Sequence, residues 1–522
     1  MRNSAKLLSA VALAVLLPAN AAGAAPDQAR PVRVSGPSPY AACTAGGTPT
    51  STNYPNAEVE PSVTVAPRRP DRVVGAWQQD RWNDGGAHGI AAGYSTDGGR
   101  TFAEVTWPVS RCAPGGLPYD RASDPWVSAG PDGVVYGNTI VFDGATPRNA
   151  VAATTSYDGG RTWRNTTTVI ADTDPRFFND KNSVTADPTR PGSAYQVWDR
   201  LESAPDLVNF VSGPTLLSTT RDGGRTWSRP RAIVHTAPFQ QTIGNIVVVD
   251  PRTGTLYDFY NSIQFTDASA STVEFIRFEV VRSTDGGRTW GAPSVIAPDS
   301  SVQDVDPNDP SKVLRTGAGL PEPAVDPATG ELYVVYEGSD FTAGAYNQVQ
   351  LVHSTDRGRT WSAPVRVNAV PTTPAFTPMV AVDADGDVGV TYYDLRTLRP
   401  GNTTTLPTST WFTVSPRGGQ RFGHERQVAP VFDHLLAPVA GGYFLGDYQG
   451  LAAVGDRFHA LFVATNRAPA NPTDAFHRQL RGVGPDVGTA PFPVIPDTVP
   501  QDTVAGSTVV PAVRKPAQLP TR

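Results

Sequence analysis

The chain repeats the motif STDGGRTW, residues 283–290, and this repetition indicates the fold. Close copies begin at residues 95, 156, 220 and 354, and SPRGGQRF at 415–422 is a degenerate sixth. The aspartates of the five clear copies follow one another at intervals of 61, 64, 63 and 71 residues. A period of this kind indicates a repeated supersecondary unit. Five copies spread around an array cannot converge on one substrate. The repeated motif is therefore expected to have a structural role rather than to form an active site.

The residues around each copy are short β-branched and aromatic runs separated by Gly, Pro and Asp. The first repeat contains four such runs, SVTVAP, RVVGAWQ, GIAAGYS and FAEVTWPV, which predict four strands. Repeated four-stranded antiparallel sheets without long helices predict an all-β fold, a β-propeller. The inner strands are expected to begin near Glu60, Asp124, Asp180, Asn245, Glu322, Thr377 and Asp447. This count favours seven blades, with six as the alternative.

The N-terminal segment RPVRVS at 30–35 resembles the outer strand APVRVN at 363–368. We therefore expect an N-terminal strand to complete the last blade and close the ring, which removes the open sheet edges. The repeated phrase falls between the third and fourth strands of each blade. There Asp-Gly-Gly favours a tight turn with positive φ.

The two ends of the chain differ from the repeats. Arg2 and Lys6, an apolar run and small residues up to Ala24 predict a secretory signal peptide over 1–24. The propeller is expected over 25–480 and a flexible Pro- and Val-rich tail over 481–522. We expect a secreted, extracellular monomer. In that oxidising setting, the only two cysteines, Cys43 and Cys112, are expected to form a disulfide.

Charge and hydropathy exclude two classes of partner. The net charge is −6 and no long basic run occurs, which argues against nucleic-acid binding. No later stretch reaches about 18 consecutive apolar residues, so no membrane partner is expected. The sequence predicts neither a cofactor nor a metal site.

Charged residues cluster where propeller topology places the mouth of the central channel. Loops between second and third strands contain Arg81, Arg200 and Arg396, each beside an aspartate. Three guanidinium groups facing one channel would bind a carboxylate, whereas the alternative is a local salt bridge on each loop. Inner strands begin with further acids, which are acid/base groups, cation ligands or solvated side chains at a water-filled hole: Glu60, Asp124, Glu322 and Asp447.

The repeated phrases match the Asp-box pattern S-x-D-x-G-x-T-W, and on this pattern the chain resembles the sialidase superfamily over roughly residues 50–480. The resemblance implies a secreted glycoside hydrolase that acts on terminal, including acidic, sugars of glycans. It implies a tyrosine nucleophile, Tyr448, with Glu322 as its partner, and Asp84 as the acid/base group. It also implies that Arg81, with Arg200 and Arg396, binds the substrate carboxylate. Glu60, Asp124 and Asp447 are further expected substrate contacts.

One position departs from the sialidase pattern. Sialidases have an Arg-Ile-Pro motif on the first inner strand, where this chain has Glu60-Pro61-Ser62. A glutamate there would repel an acidic sugar. Two alternatives therefore stay open, a polysaccharide lyase with His88 as its base and a non-catalytic propeller that binds a glycan or a protein.

Overall fold

The computed structural model describes residues 30–416, 418–423, 425–468 and 471–482. The expected signal peptide over 1–24 lies outside the described residues, as does the expected tail from residue 483 onward. Arg481, which the sequence places in the tail, ends a strand instead. Within the described part, no helix has the length and apolar character needed to cross a membrane.

Short strands make up most of the described chain. The first part contains β1 (Val32–Arg33), β2 (Glu58–Ala66), β3 (Arg69–Arg81), β4 (Ala87–Ser95), β5 (Ala103–Thr106), β6 (Arg121–Ala129), β7 (Val135–Phe142), β8 (Asn149–Ser156), β9 (Arg164–Asp172), β10 (Phe177–Ala186), β11 (Ala194–Ser203), β12 (Phe210–Ser212), β13 (Thr215–Thr220), β14 (Arg231–Val234), β15 (Gln240–Val249), β16 (Leu256–Phe265), β17 (Val273–Ser283) and β18 (Ser294–Pro298). The second part contains β19 (Val305–Asp306), β20 (Asp309–Arg315), β21 (Glu322–Val325), β22 (Leu332–Gly338), β23 (Gln348–Ser354), β24 (Val365–Arg366), β25 (Ala375–Val382), β26 (Val388–Asp394), β27 (Pro407–Ser415), β28 (Arg426–Gln427), β29 (Phe432–Asp433), β30 (Tyr443–Phe444), β31 (Gly450–Val454), β32 (Arg457–Ala468) and β33 (Asn471–Arg481). Two short 3₁₀ helices, η1 (Asp340–Thr342) and η2 (His434–Leu436), lie in loops.

The strands pair in a repeated antiparallel order. Within the described residues, seven groups have four strands in this order: β2–β5, β6–β9, β10–β14 (with β12 beside β11), β15–β18, β21–β24, β25–β28 (with β29 beside β27), and β31–β33 with β1. The first strand of each group contacts the first strand of the next, and β31 contacts β2. The predicted all-β propeller of four-stranded antiparallel blades is therefore confirmed. Blade number and ring closure stay predictions. The pairing of Val32 with His477, which joins β1 to the last group, supports ring closure.

Separate apolar cores lie between neighbouring sheets. Between the first two groups, the fully buried Trp107 packs with Ile90 of β4 and Val141 of β7. Burying one aliphatic side chain of this size contributes about 1.5–3 kcal/mol. These cores hold each blade to its neighbours. The inner strands, which are the first strands of the groups, surround a channel.

The repeated phrases form the turns between third and fourth strands, as predicted. At Asp285, one carboxylate oxygen accepts hydrogen bonds from the backbone N–H groups of Arg288 and Thr289, both at 2.9 Å. The Thr289 hydroxyl donates to the other oxygen at 2.6 Å. These bonds lower the pKa of Asp285 below its ordinary value. Gly286 and Gly287 have φ values of 74° and 83°, a conformation that strains residues with a Cβ atom.

Cys43 and Cys112 form a disulfide, and their Cα atoms lie 5.5 Å apart. The bond joins the segment that follows β1 to the loop that follows β5. It therefore ties the N-terminal segment to the first blade.

One insertion breaks the repeat. β19 and β20, residues 305–315, lie between the fourth and fifth groups, and we call them the strap. β20 pairs in parallel with β30, whose partner residues are Tyr443 and Phe444. This pairing brings Arg315, at the end of the strap, beside the last inner strand.

Candidate functional site

The charged residues at the channel mouth are positioned by β-bulges. Where the first strand of a blade pairs with the second, the register shifts at Glu60, Asp124, Lys181 and Thr377. Their φ values lie between 45° and 53°. A bulge redirects the side chain, and its recurrence at one position brings residues from successive strands together. Non-glycine residues in this conformation are strained, by about 1–3 kcal/mol each, and such strain is enriched at functional sites.

Lys181 is the centre of the resulting ion cluster. Its ammonium nitrogen lies 2.6 Å from Asp447, 3.2 Å from Asp124 and 3.7 Å from Glu60, measured to the nearest carboxylate oxygens. Burial alone would lower the pKa of Lys181, but these three carboxylates raise it above its ordinary value. Three of the expected substrate contacts therefore do lie together, around a lysine that the sequence analysis missed.

Arg315 connects the strap to this cluster. Its guanidinium makes two bonds to Asp447, Nε to Oδ1 at 3.0 Å and Nη2 to Oδ2 at 2.6 Å. The Arg315 side chain is 31% exposed, so solvent reaches the cluster along it. We call Glu60, Asp124, Lys181, Arg315 and Asp447 the mouth cluster.

Glu60 has the environment of a general acid. It accepts a hydrogen bond from the Gln78 amide. Burial, together with repulsion from Asp124, raises the pKa of Glu60 to about 8, although Lys181 opposes this shift. At neutral pH the Glu60 carboxyl is therefore largely protonated. Asp447, by contrast, receives bonds from two cations, which stabilise its ionised form.

Arg81, expected to bind a substrate carboxylate, lies beside the mouth cluster but is almost fully buried. It donates to Gln78 at 2.8 Å, and its guanidinium stacks 4.9 Å from the centre of the Phe444 ring. Burial and the nearby Arg315 lower the pKa of Arg81 to about 10. The Arg315 guanidinium lies over the same Phe444 ring, 4.3 Å from its centroid. Arg81 therefore supports the mouth rather than reaching into solvent.

The expected Tyr448–Glu322 unit is not formed. The Tyr448 hydroxyl donates to the Pro125 carbonyl at 3.2 Å, and its ring packs against Trp126 with centroids 5.1 Å apart. Burial raises the pKa of Tyr448 well above its ordinary value, and the carboxylates near it add to this. Both Tyr448 and Glu322 line one small cavity of about 20 Å³, yet no hydrogen bond joins them in the described residues. Without a base to take its proton, the phenol is a poor nucleophile.

Asp84, predicted as the acid/base group, is bonded to two neighbouring side chains. Arg121 donates to its carboxylate at 2.7 Å, and the Ser51 hydroxyl donates at 2.7 Å. Partial burial alone would raise the pKa of Asp84, but these bonds hold it below its ordinary value. An ionised carboxylate cannot act as the acid that protonates a leaving group. Asp84 therefore orders its loop through Arg121.

Arg200 and Arg396 form local salt bridges and do not face the mouth cluster. Arg200 makes two bonds to Asp172, at 3.0 and 2.6 Å. Arg396 is held between Asp394 and Glu425. Nearby carboxylates thus occupy both guanidinium groups, which is the local salt-bridge alternative, and the arginine triad stays a prediction.

His88 is engaged as well. Its Nδ1 lies 3.2 Å from an Asp80 oxygen that also accepts a 2.6 Å bond from Ser38. The ring is buried and contacts Trp82 edge-on. His88 is therefore not positioned as a lyase base at the mouth.

Sequence reasoning missed Lys181 and Arg315. The signal for Lys181 was present, because Lys181-Asn182-Ser183 occupies the register of Glu60-Pro61-Ser62 and of Asp124-Pro125-Trp126. Asn182 in place of proline hid this correspondence. Arg315 lies on the strap, which has no counterpart in the repeats, so no pattern could have indicated it. Among the described residues, no group of three or more His, Cys, Asp or Glu side chains is arranged to hold a metal ion.

Comparison with known proteins extends these findings. Residues 279–434 match a family model described as a BNR repeat-like domain. A sialidase from Micromonospora viridifaciens is 32% identical over 165 residues, which cover 29% of this chain and 24% of that protein. The match therefore spans about a quarter of this relative. The predicted resemblance to the sialidase superfamily is therefore confirmed, over the part of the chain that these matches cover.

Two solved structures resemble the chain at low sequence identity. A Hadza microbial sialidase is 15% identical with a TM-score of 0.43, covering 78% of this chain and 74% of that one. An α-L-arabinanase from Penicillium chrysogenum, complexed with arabinobiose, is 14% identical with a TM-score of 0.41, covering 68% and 92%.

Proposed function

We propose that this protein is an exported glycoside hydrolase whose reaction takes place at the mouth cluster. The observation that supports this most is the contrast between two neighbouring carboxyl groups. Glu60 is held protonated by burial, whereas Asp447 is held ionised by Lys181 and Arg315. Most glycosidases use such a pair, one carboxylic acid and one carboxylate.

In the proposed reaction, Glu60 donates its proton to the glycosidic oxygen as the bond to the leaving sugar breaks. Asp447 then acts as the carboxylate. It either stabilises the positive charge on the sugar ring or takes a proton from the water molecule that attacks the sugar. Lys181 and Arg315 keep Asp447 ionised and fix its orientation. This scheme replaces the tyrosine nucleophile implied by the family resemblance, because Tyr448 is bonded to a backbone carbonyl.

We propose a neutral terminal sugar as the substrate rather than a sialic acid. Lys181 and Arg315 are already paired with carboxylates, and Arg81 is buried with its guanidinium bonded to Gln78. No cation of the mouth cluster is thus left to bind a substrate carboxylate, and the carboxylates already paired there would repel one. The predicted signal peptide and the disulfide support export, since disulfides persist in oxidising compartments.

The test is to assay the purified protein against aryl glycosides of neutral pentoses and hexoses and against an aryl sialoside. Turnover of a neutral glycoside, and loss of it by about 10²–10⁴-fold in Glu60→Gln, is the expected result. Glu274→Gln removes the same group from an exposed position on β17 and serves as the matched control. Turnover confined to the sialoside would overturn the proposed substrate class.

A non-catalytic glycan-binding propeller is the second candidate. It is favoured by the closure of the mouth, where the cavity measures only about 20 Å³ and Glu60 is 1% exposed. Glycan binding in a pull-down or by calorimetry, without turnover of any glycoside and unchanged by Glu60→Gln, would support this candidate over the hydrolase.

A further inference from the structure

A second cavity lies in the channel below the mouth. It measures about 290 Å³ and is lined by residues from all seven inner strands, among them Val63, Trp126, Ile246, Met379 and Leu451. This is larger than an engineered protein cavity of about 150 Å³ that binds benzene. We call it the channel cavity, and its walls are mainly aliphatic and aromatic.

Glu322 separates the channel cavity from the mouth cluster, because it lines both cavities. Its side chain is 4% exposed. In the described chain, no group donates a hydrogen bond to the Glu322 carboxyl and no cation pairs with it within 4 Å. Burial raises the pKa of Glu322 well above its ordinary value, and Lys181 only partly opposes this. Because the Glu322 carboxyl lines both cavities, a ligand in the channel cavity can supply the partner that it lacks within the protein.

Aromatic and electrostatic features around Glu322 favour a cation as that partner. Trp126 lines both cavities together with Glu322, and its ring packs against Tyr448. The face of a tryptophan ring attracts an ammonium group. A cation that binds beside Glu322 would favour the ionised form of its carboxyl and so form an ion pair with it.

The remainder of the channel cavity suits a hydrocarbon chain, and it is accessible. Thr185, Val248 and Val325 are only half-buried, and the lining residue Pro188 is exposed. Solvent and small molecules can thus enter at the end away from Glu322. A ligand with an ammonium head and a short apolar tail would place the head at Glu322 and Trp126 and bury the tail.

We propose that the channel cavity is a binding site for small primary alkylammonium compounds, with Glu322 as the ion-pair partner and Trp126 as the aromatic wall. This site lies on the far side of Glu322 from the mouth cluster. The proposal is independent of the proposed hydrolase activity, because it is tested by binding alone.

The test uses n-butylammonium chloride and n-butanol as probes, titrated into the full chain by calorimetry. Butylammonium should bind at one site, more tightly than butanol. Glu322→Gln should weaken butylammonium binding about tenfold or more, through loss of a charge-assisted bond, and leave butanol binding nearly unchanged. Glu274→Gln, on the exposed surface of β17, should leave the binding of both probes unchanged.

A cavity-filling variant guards against a folding effect of Glu322→Gln. Val325→Phe adds volume at a half-exposed lining position and should abolish binding of both probes while the melting temperature stays near that of the wild type. Equal affinities of the wild type for butanol and butylammonium would overturn the proposal, as would unchanged butylammonium binding in Glu322→Gln. Failure of both probes to bind would overturn it too, whatever the glycosidase assays show.

Discussion

Arg315 and Asp447 are joined by two parallel bonds, Nε to Oδ1 at 3.0 Å and Nη2 to Oδ2 at 2.6 Å. The pair connects the strap to the start of the last blade, 132 residues away in sequence. It also places a positive charge beside the Asp447 carboxylate at the channel mouth. One interaction thus couples the position of an inserted segment to the charge state of the proposed active site.

We expect Arg315→Gln to destabilise the protein by about 1–3 kcal/mol. The expected loss is smaller than the loss of about 3–5 kcal/mol that follows when a fully buried pair is broken, because Arg315 is 31% exposed. Urea unfolding measures the change. Arg69→Gln, which breaks an exposed pair with Asp71, should change the stability much less. Equal losses in the two variants would contradict the role assigned to Arg315.

Asp285→Ala should lower the melting temperature and leave activity or ligand binding per folded molecule near that of the wild type. The substitution removes the acceptor of five hydrogen bonds that close the turn. Differential scanning calorimetry and a binding or turnover assay together measure the outcome. Arg288→Ala, which keeps the carboxylate, is the control. A stable variant without function would show that the turn is part of a site.

The fold was predictable from the sequence because its signals are local. Each Asp-Gly-Gly turn and each β-branched run is determined by neighbouring residues, and the repeat multiplied the signal. The site was predictable only in part. Glu60, Asp124 and Asp447 could be placed because strand starts meet at the channel, but the partners of Arg200 and Arg396 depend on side-chain contacts that no periodicity reveals. Arg315 depends on a strap that occurs once.

The buried His459–His477 pair should make stability sensitive to acid. His459 Nδ1 lies 3.0 Å from His477 Nε2, and His477 contacts the Gly99 carbonyl of the first repeated turn. Burial lowers the pKa of His459 to about 4 and that of His477 well below its ordinary value. The unfolded chain therefore binds protons that the folded chain excludes, so stability falls as pH drops from about 6.5 towards 4.

For His459 alone the loss reaches about 3 kcal/mol near pH 4, since each pKa unit corresponds to about 1.4 kcal/mol. The free energy of unfolding, measured between pH 7.5 and 4, should fall less steeply in His459→Asn than in the wild type. Parallel curves for the two proteins would rule out this source of acid sensitivity.

Replacing both Cys43 and Cys112 by serine should lower the free energy of unfolding by about 2–4 kcal/mol, because the disulfide restricts the unfolded chain. A reducing agent should produce a similar loss in the wild type and none in the double variant. Mass spectrometry of the unreduced protein provides a direct check, and two free thiols in it would refute the bond.

The two mechanisms for the proposed hydrolase differ in what Tyr448→Phe does. If Tyr448 were the nucleophile and Glu322 its base, Tyr448→Phe and Glu322→Gln would each abolish turnover, and the double variant would be little worse. In the structure the Tyr448 hydroxyl donates to the Pro125 carbonyl, so Tyr448→Phe removes one hydrogen bond at a cost of about 1 kcal/mol. We therefore expect turnover by Tyr448→Phe to stay within about tenfold of the wild type. Glu60→Gln should instead lower turnover about 10²–10⁴-fold.

The pH dependence of turnover gives a second readout. Because burial raises the pKa of Glu60 to about 8, the acid form is present below that pH, and turnover should fall as pH rises through it. Any residual turnover of Glu60→Gln should lack this alkaline decline. Loss of activity in Tyr448→Phe as severe as in Glu60→Gln would restore the tyrosine mechanism.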